Sequence, residues 1–454
     1  MTLFRGRFLD TPASPFSGGV LRAEEDGGLL VTDGVIVERD SYQALRRSHP
    51  DDEVVDLSGG VVLPGFVDTH VHFPQVRMIG ALGMPLLDWL ERSALPEEAR
   101  LADVTYARQV ARDFLSGVVG AGTTTALVFG AHFAAAVDSL FTEAEAVGLR
   151  VTSGLVVSDR VLREDLLTSP QQAYDEGLVL AKRWHGVGRT RYAVIPRFSL
   201  SCTDALLDSC SALLTDVDGA WFTSHVNEST AEIAAVGDLF TGCEDYLATY
   251  DRHGLVGRRS VYAHNVHASP GELDVLAERG GSVAHCPTSN AALGSGLFPL
   301  REHVAHGVRV ALGSDVGAGT GFSLFKEGLQ AYFMQQLLRD RGFPLGPAHL
   351  LYLATGAGAA ALGLADLVCD FEPGRQFDAL WLRPETGSTL DVCVRHAEGA
   401  EDALAKAFAL ATPADVDTVW VGGRRVSFPR SGSHLPNPSP ASPVVQPGPA
   451  REVP

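Results

Sequence analysis

Cysteine is scarce in this chain, and no two cysteines stand close enough to form a recognisable redox or zinc motif. Six cysteines are scattered over 454 residues, and none forms a CxxC pair. This pattern excludes a small fold stapled by disulfides and predicts reduced thiols in a cytoplasmic protein.

Long apolar runs and basic stretches are also missing. The most apolar segment, 350–365, is too short for a bilayer span and rich in Gly and Ala, which predicts a tightly packed helix. The first residues lack the apolar core of a signal peptide. The formal net charge is −19, and without a basic stripe we expect neither nucleic-acid nor membrane binding.

Several motifs of nucleotide-binding and hydrolytic enzymes are absent as well. There is no Walker A motif and no G-x-S-x-G elbow. The glycine-rich segment 317–321 is followed by Phe322, where a dinucleotide fingerprint needs its third glycine. The H-x-E and P-C-x-x-C zinc motif of one deaminase class is missing, because Glu228 lies three residues after His225 and no CxxC exists.

What the chain does contain is an alternation of short apolar runs and amphipathic stretches. Its composition, 45% hydrophobic and 20% charged, is that of a globular protein. Helical patterns such as 103–115, 232–239 and 270–278 separate the apolar runs. Eight such β-α repeats predict a parallel (β/α)8 barrel of the TIM type. The eight predicted strands are 66–70, 123–128, 151–156, 192–197, 221–225, 261–264, 282–285 and 308–313.

Strand-like segments at both chain ends predict a small second domain. Two apolar runs flank Asp33-Gly34, a dipeptide typical of tight hairpins, and a similar pair flanks Gly422-Gly423. We expect 1–62 and 366–428 to combine into a β-sandwich beside a barrel at 63–365. The Pro- and Ser-rich segment 429–454 is predicted to be disordered.

The polar residues able to do chemistry fall where the predicted strands end. His70-Val71-His72 places two imidazoles on one face of a strand, where both can bind one ion. His225, His264 and Asp315 follow later strands, and the active site of such a barrel lies at its strand ends. Imidazoles with a carboxylate suit Zn²⁺ or Fe²⁺, and an open position for water would make the site hydrolytic.

Each of these residues, taken alone, could have a structural role instead of a functional one. His225 or His264 by itself is as often structural as functional, and Glu228 by itself could be a solvated loop residue. Gln75, Arg197 and Phe198 singly are more often loop or core residues. The ordered set indicates a catalytic site, in which Asp315 could bind the metal or accept a proton from water, and Glu228 could protonate a substrate.

The motifs around these residues resemble the amidohydrolase superfamily, in its branch of deaminases that bind one metal. The superfamily pattern at 64–72 is intact. Pro196-Arg197-Phe198 stands at the fourth-strand position where superfamily members with two metals carry a carboxylated lysine, and it contains no lysine, so the resemblance implies a single ion. Within the superfamily, Gln75 together with Arg197-Phe198 is similar to the guanine deaminase family. The segments that carry this resemblance are 70–75, 122–126, 196–202, 224–228 and 285–290.

The resemblance implies a set of roles, residue by residue. The residues that match His70, His72, His225 and Asp315 hold zinc, and the match to His264 contacts the metal or its water. Glu228, Asp315 and His264 are then the catalytic residues. The implied substrate contacts are Gln75, Arg197, Phe198, His225 and Glu228.

The implied reaction is hydrolytic deamination of guanine to xanthine and ammonia by a zinc-activated water. Adenine is expected to be a poor substrate, because it has an amine where guanine has a carbonyl. A related deaminase or chlorohydrolase acting on another purine, a pterin or a triazine would share the metal set. A barrel that has lost catalysis would usually have lost ligands, and none is missing here. The resemblance also implies a homodimer.

Four other residues are predicted to lie outside the metal set. Trp89 is predicted either to cover the site or to pack in the core. His285 is expected in the pocket wall rather than on the metal. His303 and His306 are predicted to lie on the surface of a helix.

Overall fold

The computed structural model describes residues 1–426 of the chain, which contain sixteen strands and seventeen α-helices. The strands are β1 Thr2–Asp10, β2 Arg22–Thr32, β3 Val35–Ser41, β4 Glu53–Pro64, β5 Phe66–His72, β6 Thr123–Phe129, β7 Arg150–Ser153, β8 Val156–Val157, β9 Thr190–Pro196, β10 Trp221–Val226, β11 Ser260–His264, β12 Ser282–His285, β13 Arg309–Leu312, β14 Ala379–Leu382, β15 Val416–Val421 and β16 Arg424–Val426. The helices are α1 Tyr42–Ser48, α2 Leu86–Trp89, α3 Leu95–Ala99, α4 Val104–Gly120, α5 Ala134–Val147, α6 Pro170–Trp184, α7 Asp204–Asp216, α8 Thr230–Leu239, α9 Ala248–Asp251, α10 Pro270–Arg279, α11 Pro287–Ala292, α12 Leu300–Ala305, α13 Leu324–Leu337, α14 Pro347–Ala354, α15 Gly356–Ala361, α16 Thr389–Arg395 and α17 Ala400–Leu410.

Eight parallel strands form the predicted (β/α)8 barrel. They are hydrogen-bonded in the order β13, β12, β11, β10, β9, β7, β6 and β5. Two backbone hydrogen bonds join the last strand region to the first: Asp315 N to His70 O at 2.8 Å and His72 N to Val316 O at 3.1 Å. Every residue of β5 and β6 is buried, as expected where a parallel sheet is covered on both faces.

The third barrel strand differs from its prediction. The sequence predicts one strand over 151–156, whereas the structure has β7, a break at Gly154, and the short β8, which pairs with β9. A Cβ at Gly154 would lie 1.8 Å from the carbonyl oxygen of Ala193. The two backbones can therefore approach here only because this residue is glycine.

Helix termini follow the local sequence closely. Asp103 caps α4 by accepting hydrogen bonds from the N–H groups of Thr105 and Tyr106. Helices α8 and α10 each begin with a capping box, formed by Ser229 with Glu232 in one and by Ser269 with Glu272 in the other. These caps satisfy N–H groups that the helix itself cannot bond, and they fix where each loop leaves the strand before it.

The two chain ends combine into one seven-stranded sheet, in the order β16, β15, β14, β4, β1, β2, β3. The ring of Phe4 on β1 lies 4.4 Å from Phe377 and 5.8 Å from Trp420 on β15, although β1 and β15 are not neighbouring strands. The sheet therefore folds over its own inner face and buries it, as a sandwich does. The predicted turn at Asp33-Gly34 is confirmed, and both residues have positive φ.

Two predictions about burial and helix continuity were wrong. Segment 350–365 contains two buried helices, α14 and α15, which meet at Thr355, where φ is −134° and ψ −85°. His303 is fully buried, because its Nε2 lies 3.0 Å from the amide nitrogen of Asn265 and its ring packs 4.3 Å from that of Phe298.

Three further expectations concern membrane helices, the C-terminal segment and the domain boundaries. In the part of the chain that the structure describes, no helix is long and apolar enough to cross a membrane. The predicted disordered segment 429–454 lies outside the described residues. The domain boundaries stay a prediction.

A buried ion pair joins the barrel to the terminal sheet. Arg150, the first residue of β7, donates to both carboxylate oxygens of Asp378, at 2.9 and 3.1 Å. Asp378 also accepts from the N–H of Gly422 at 2.6 Å. Both side chains are less than 10% exposed, so losing one charge would leave the other buried without a counterion.

We expect Asp378→Asn to lower the free energy of unfolding by about 3 kcal/mol, the loss typical of a broken buried pair. Urea denaturation followed by circular dichroism would measure it. The matched control is Asp218→Asn, because Asp218 is fully exposed and lies 3.9 Å from Arg259. Equal stability of the two variants would contradict a joining role for Asp378.

Candidate functional site

The structure brings the predicted metal ligands together at the C-terminal ends of the barrel strands. His70 and His72 lie at the end of β5, His225 on β10 and His264 at the end of β11. Asp315 lies three residues past β13. All five side chains are buried. Ligand atoms of His70, His225, His264 and Asp315 lie within 4.8 Å of one another, a group that could hold a metal ion.

His72 lies directly against this group. Its Nε2 is 3.1 Å from Nε2 of His70 and 3.3 Å from both Nε2 of His225 and Oδ1 of Asp315. The same carboxylate oxygen lies 3.3 Å from Nε2 of His70, and Oδ2 lies 3.8 Å from Nε2 of His264. Four imidazoles therefore face one carboxylate across a space the size of one ion.

The ring orientations of two histidines fit metal binding through Nε2. Nδ1 of His225 lies 2.6 Å from the backbone oxygen of Arg197, and Nδ1 of His264 lies 3.0 Å from Oδ1 of Asn290. An oxygen acceptor at Nδ1 holds the proton there and leaves the Nε2 lone pair free for a metal. Asn290 belongs to the segment 285–290, which carries part of the family resemblance.

Burial sets the protonation of these groups. It lowers the pKa of His70 and His225, and lowers that of His72 to about 4. Neutral imidazole is the form that binds metals. Burial alone would raise the pKa of Asp315, but hydrogen bonds with His70 and His72 lower it well below its ordinary value. The site thus combines neutral nitrogens with one ionised carboxylate.

Two of the predicted metal-site residues are held in left-handed backbone conformations. The φ angle is 72° at His264 and 47° at Asp315. Side chains other than glycine rarely adopt this region, and such strain is concentrated at functional sites. The turn at Asp315 coincides with the hydrogen bond from its N–H to His70, so barrel closure itself directs this carboxylate to the centre.

Glu228 lies on the loop after β10, beside the metal group. Its Oε2 is 3.5 Å from Nε2 of His264, and its Oε1 accepts a hydrogen bond of 3.4 Å from Ser295. Burial, and then the negative charge of Asp315, raises the pKa of Glu228 well above its ordinary value. A buried carboxyl with this tendency to hold a proton has the properties of a general acid.

A small cavity lies next to the metal group. All five predicted substrate residues line it: Gln75, Arg197, Phe198, His225 and Glu228. Trp89 lines it too, and its indole N–H is buried without a partner among residues 1–426. The position of Trp89 fits one of its two predicted roles, which is to cover the site.

His285 lies outside the metal group, as expected, but it does not line the cavity, so its expected place in the pocket wall was wrong. Its ring is fully buried and stacks on Phe298 with centroids 4.2 Å apart. Burial lowers the pKa of His285 to about 3, so it is a neutral packing residue.

The sequence-based reasoning missed Glu98, a buried carboxylate on α3. Its Oε1 accepts from Nε2 of Gln75 at 2.7 Å, and its Oε2 accepts from Nη1 of Arg197 at 2.6 Å. Nothing in its local sequence distinguishes it, because Glu97-Glu98 in a helical turn looks like a solvated face. Only the approach of α3 to the end of β9 reveals its contacts.

Comparisons with known proteins agree with this geometry. Residues 61–426 match the model of the Amidohydrolase family. The chain is 60% identical to a probable guanine deaminase of Deinococcus radiodurans, over 93% of this chain and 98% of the relative. The structure matches that of Escherichia coli guanine deaminase with a TM-score of 0.90 at 35% identity, covering 94% of this chain and 99% of the other. It also matches guanine deaminase from C. acetobutylicum with bound guanine in the active site, with a TM-score of 0.88 at 26% identity, covering 94% and 100%.

We expect the protein to bind a divalent metal and His225→Ala to lose it, because removing one imidazole typically weakens such a site strongly. Metal content after dialysis, measured by inductively coupled plasma mass spectrometry, would test this. His306→Ala is the control, since His306 is only partly buried and pairs with Asp274 away from the site. Full retention of metal by His225→Ala would contradict the ligand assignment.

Proposed function

We propose that this chain, which belongs to the amidohydrolase family, hydrolyses guanine to xanthine and ammonia. The observation that carries the proposal is the shared cavity. Gln75, Arg197 and Phe198, which match the purine-binding residues of guanine deaminases, line the same space as His72, His225, His264 and Asp315. High identity to a probable guanine deaminase supports the same reaction.

The proposed cofactor is a single Zn²⁺ per chain, with Fe²⁺ as the alternative. His70, His72, His225 and Asp315 would hold the ion, and His264 would contact either the ion or its water. Three nitrogens and a carboxylate oxygen are a donor set that both metals accept. When bound, the ion would supply the Lewis acidity that makes water nucleophilic near neutral pH.

The protein residues then move the protons. Asp315 accepts a proton from the attacking water, and His264 helps to orient that water. The oxygen bonds to C2 of guanine, and Glu228 protonates the adjacent ring nitrogen. Collapse of the tetrahedral species breaks the bond between C2 and the amino group. The proton that Asp315 took from water passes to the amino group, which leaves as ammonia, and the hydroxyl proton on C2 returns to Glu228 as the new carbonyl forms. One water is consumed, and xanthine remains.

Recognition of the ring follows from the fixed donors in the cavity. Arg197 uses Nη1 for Glu98, and its other N–H groups have no acceptor among residues 1–426, so they can donate to a purine carbonyl. Phe198 offers an apolar ring for packing against the purine. A pocket whose buried donors need a carbonyl acceptor binds a ring with an amine at that position poorly, because those donors are left unpaired.

A panel of purines, pterins and triazines tests which compound is the substrate. We expect the metal-loaded protein to release ammonia from guanine and to act at least about 10³-fold less well on adenine, because the unmatched amine leaves buried donors unpaired. Ammonia release from purines, pterins and triazines at equal concentration would measure the preference. If guanine is inert and a pterin or a triazine is turned over, the related-deaminase alternative is correct.

Replacing Glu228 tests the proton transfer. We expect Glu228→Gln to lose at least about 10²-fold in kcat, because the amide cannot carry the proton, while retaining metal. Steady-state ammonia release together with metal analysis would separate the two effects. Glu244→Gln changes an exposed glutamate nearby and should behave as wild type. Turnover at wild-type rates in Glu228→Gln would remove this residue from the mechanism.

A further inference from the structure

Glu98 bridges the two side chains proposed to read the purine. It lies on α3, its side chain is 3% exposed, and its two oxygens accept from two different residues. Oε1 bonds Gln75 at 2.7 Å, and Oε2 bonds Arg197 at 2.6 Å. A single carboxylate thus sets the distance between both donors.

The same contact orients the amide of Gln75. Oε1 of Gln75 accepts from the N–H of Gly317 at 3.2 Å, while Nε2 donates to Glu98. Turning the amide over would place its oxygen against the carboxylate of Glu98 and its NH₂ group against an N–H donor. Both contacts would then be repulsive, so Glu98 leaves one orientation of the amide.

Glu98 also neutralises Arg197. Among residues 1–426, Glu98 is the only carboxylate within ion-pair distance of this guanidinium, which is itself 4% exposed. Nε2 of His132 lies 3.4 Å from Oε2 of Glu98. Burial would raise the pKa of Glu98, but the charge of Arg197 and the contact with His132 lower it below its ordinary value. The positive charge of Arg197, on the side of the pocket proposed to bind the purine, is therefore balanced by the negative charge of Glu98.

We propose that Glu98 is a positioning residue that makes the pocket selective for a neutral purine over an anionic one. This inference rests on the proposed function, since it concerns how guanine is bound and xanthine released. Guanine is neutral near physiological pH. Xanthine has one more lactam group, is a stronger acid, and is partly anionic just above neutrality.

The consequence is a pocket that does not retain its product. A buried guanidinium without a counterion would attract an anionic purine strongly, because charges interact more strongly away from water. With Glu98 in place, the xanthine anion gains nothing from Arg197 beyond the hydrogen bonds that neutral guanine makes. Glu98 therefore favours release after the ring has acquired its second carbonyl.

The test is Glu98→Gln, which keeps the size of the side chain and removes its charge. We expect kcat/KM for guanine to fall about 10- to 100-fold, because hydrogen bonds to a charged group are lost. We also expect the xanthine inhibition constant to fall about tenfold at a pH where xanthine is anionic, but little at a pH where it is neutral. A purely structural residue would weaken binding of both rings.

The matched control is Glu143→Gln. Glu143 is also a glutamate held by arginines, at 2.6 Å from Arg108 and 3.1 Å from Arg112, but it lies on the barrel helix α5 and does not line the cavity. We expect unchanged guanine kinetics and unchanged xanthine inhibition. Glu98→Asp should keep weak xanthine inhibition while losing part of kcat/KM, because it retains the charge but shortens the reach.

A double variant covers the case in which Glu98→Gln folds poorly. In Glu98→Gln with Arg197→Gln the buried pair becomes neutral, so direct titration of xanthine should show no tightening at the higher pH. Unchanged or weaker xanthine inhibition in Glu98→Gln, or equal tightening in the double variant, would overturn the role of Glu98. Absence of guanine turnover by the wild-type protein would instead overturn the proposed function.

Discussion

The hydrogen bond from the N–H of Asp315 to the carbonyl of His70 is the contact on which the site depends. It joins the region after the eighth barrel strand to the first strand, and it does so between two of the proposed ligands. Closing the barrel and assembling the metal group are therefore one event. The left-handed φ of Asp315 is maintained because the closed barrel allows no other path for the backbone.

Much of the fold and the metal group was predictable from the sequence, because each signal was local. A strand with two histidines two residues apart directs both to one face, and alternating strands and helices imply the barrel that gathers the strand ends. His225, His264 and Asp315 needed only their positions at strand ends. The break at Gly154 and the burial of His303 depend instead on which neighbour approaches, which no local pattern encodes.

Glu98, within the site, is another residue whose contacts no local sequence pattern encodes. Its function depends on contacts with Gln75 and Arg197, 23 and 99 residues away in the chain. The structure places it on the short helix α3, and its local sequence says nothing about what that helix faces. The proposed metal ligands were predictable from motif spacing, whereas the residue proposed to orient Gln75 and Arg197 could be found only from the tertiary structure.

The terminal sheet has a consequence for synthesis on the ribosome. Strand β4 continues through Gly65 into the first barrel strand, β5. In the terminal sheet β4 pairs with β1 on one side and with β14, near residue 380, on the other. A nascent chain therefore presents β4 as an open edge until almost the whole barrel has emerged. Completion of this sheet is a late step, so a chain truncated before β14 would leave that edge exposed to pairing with other chains.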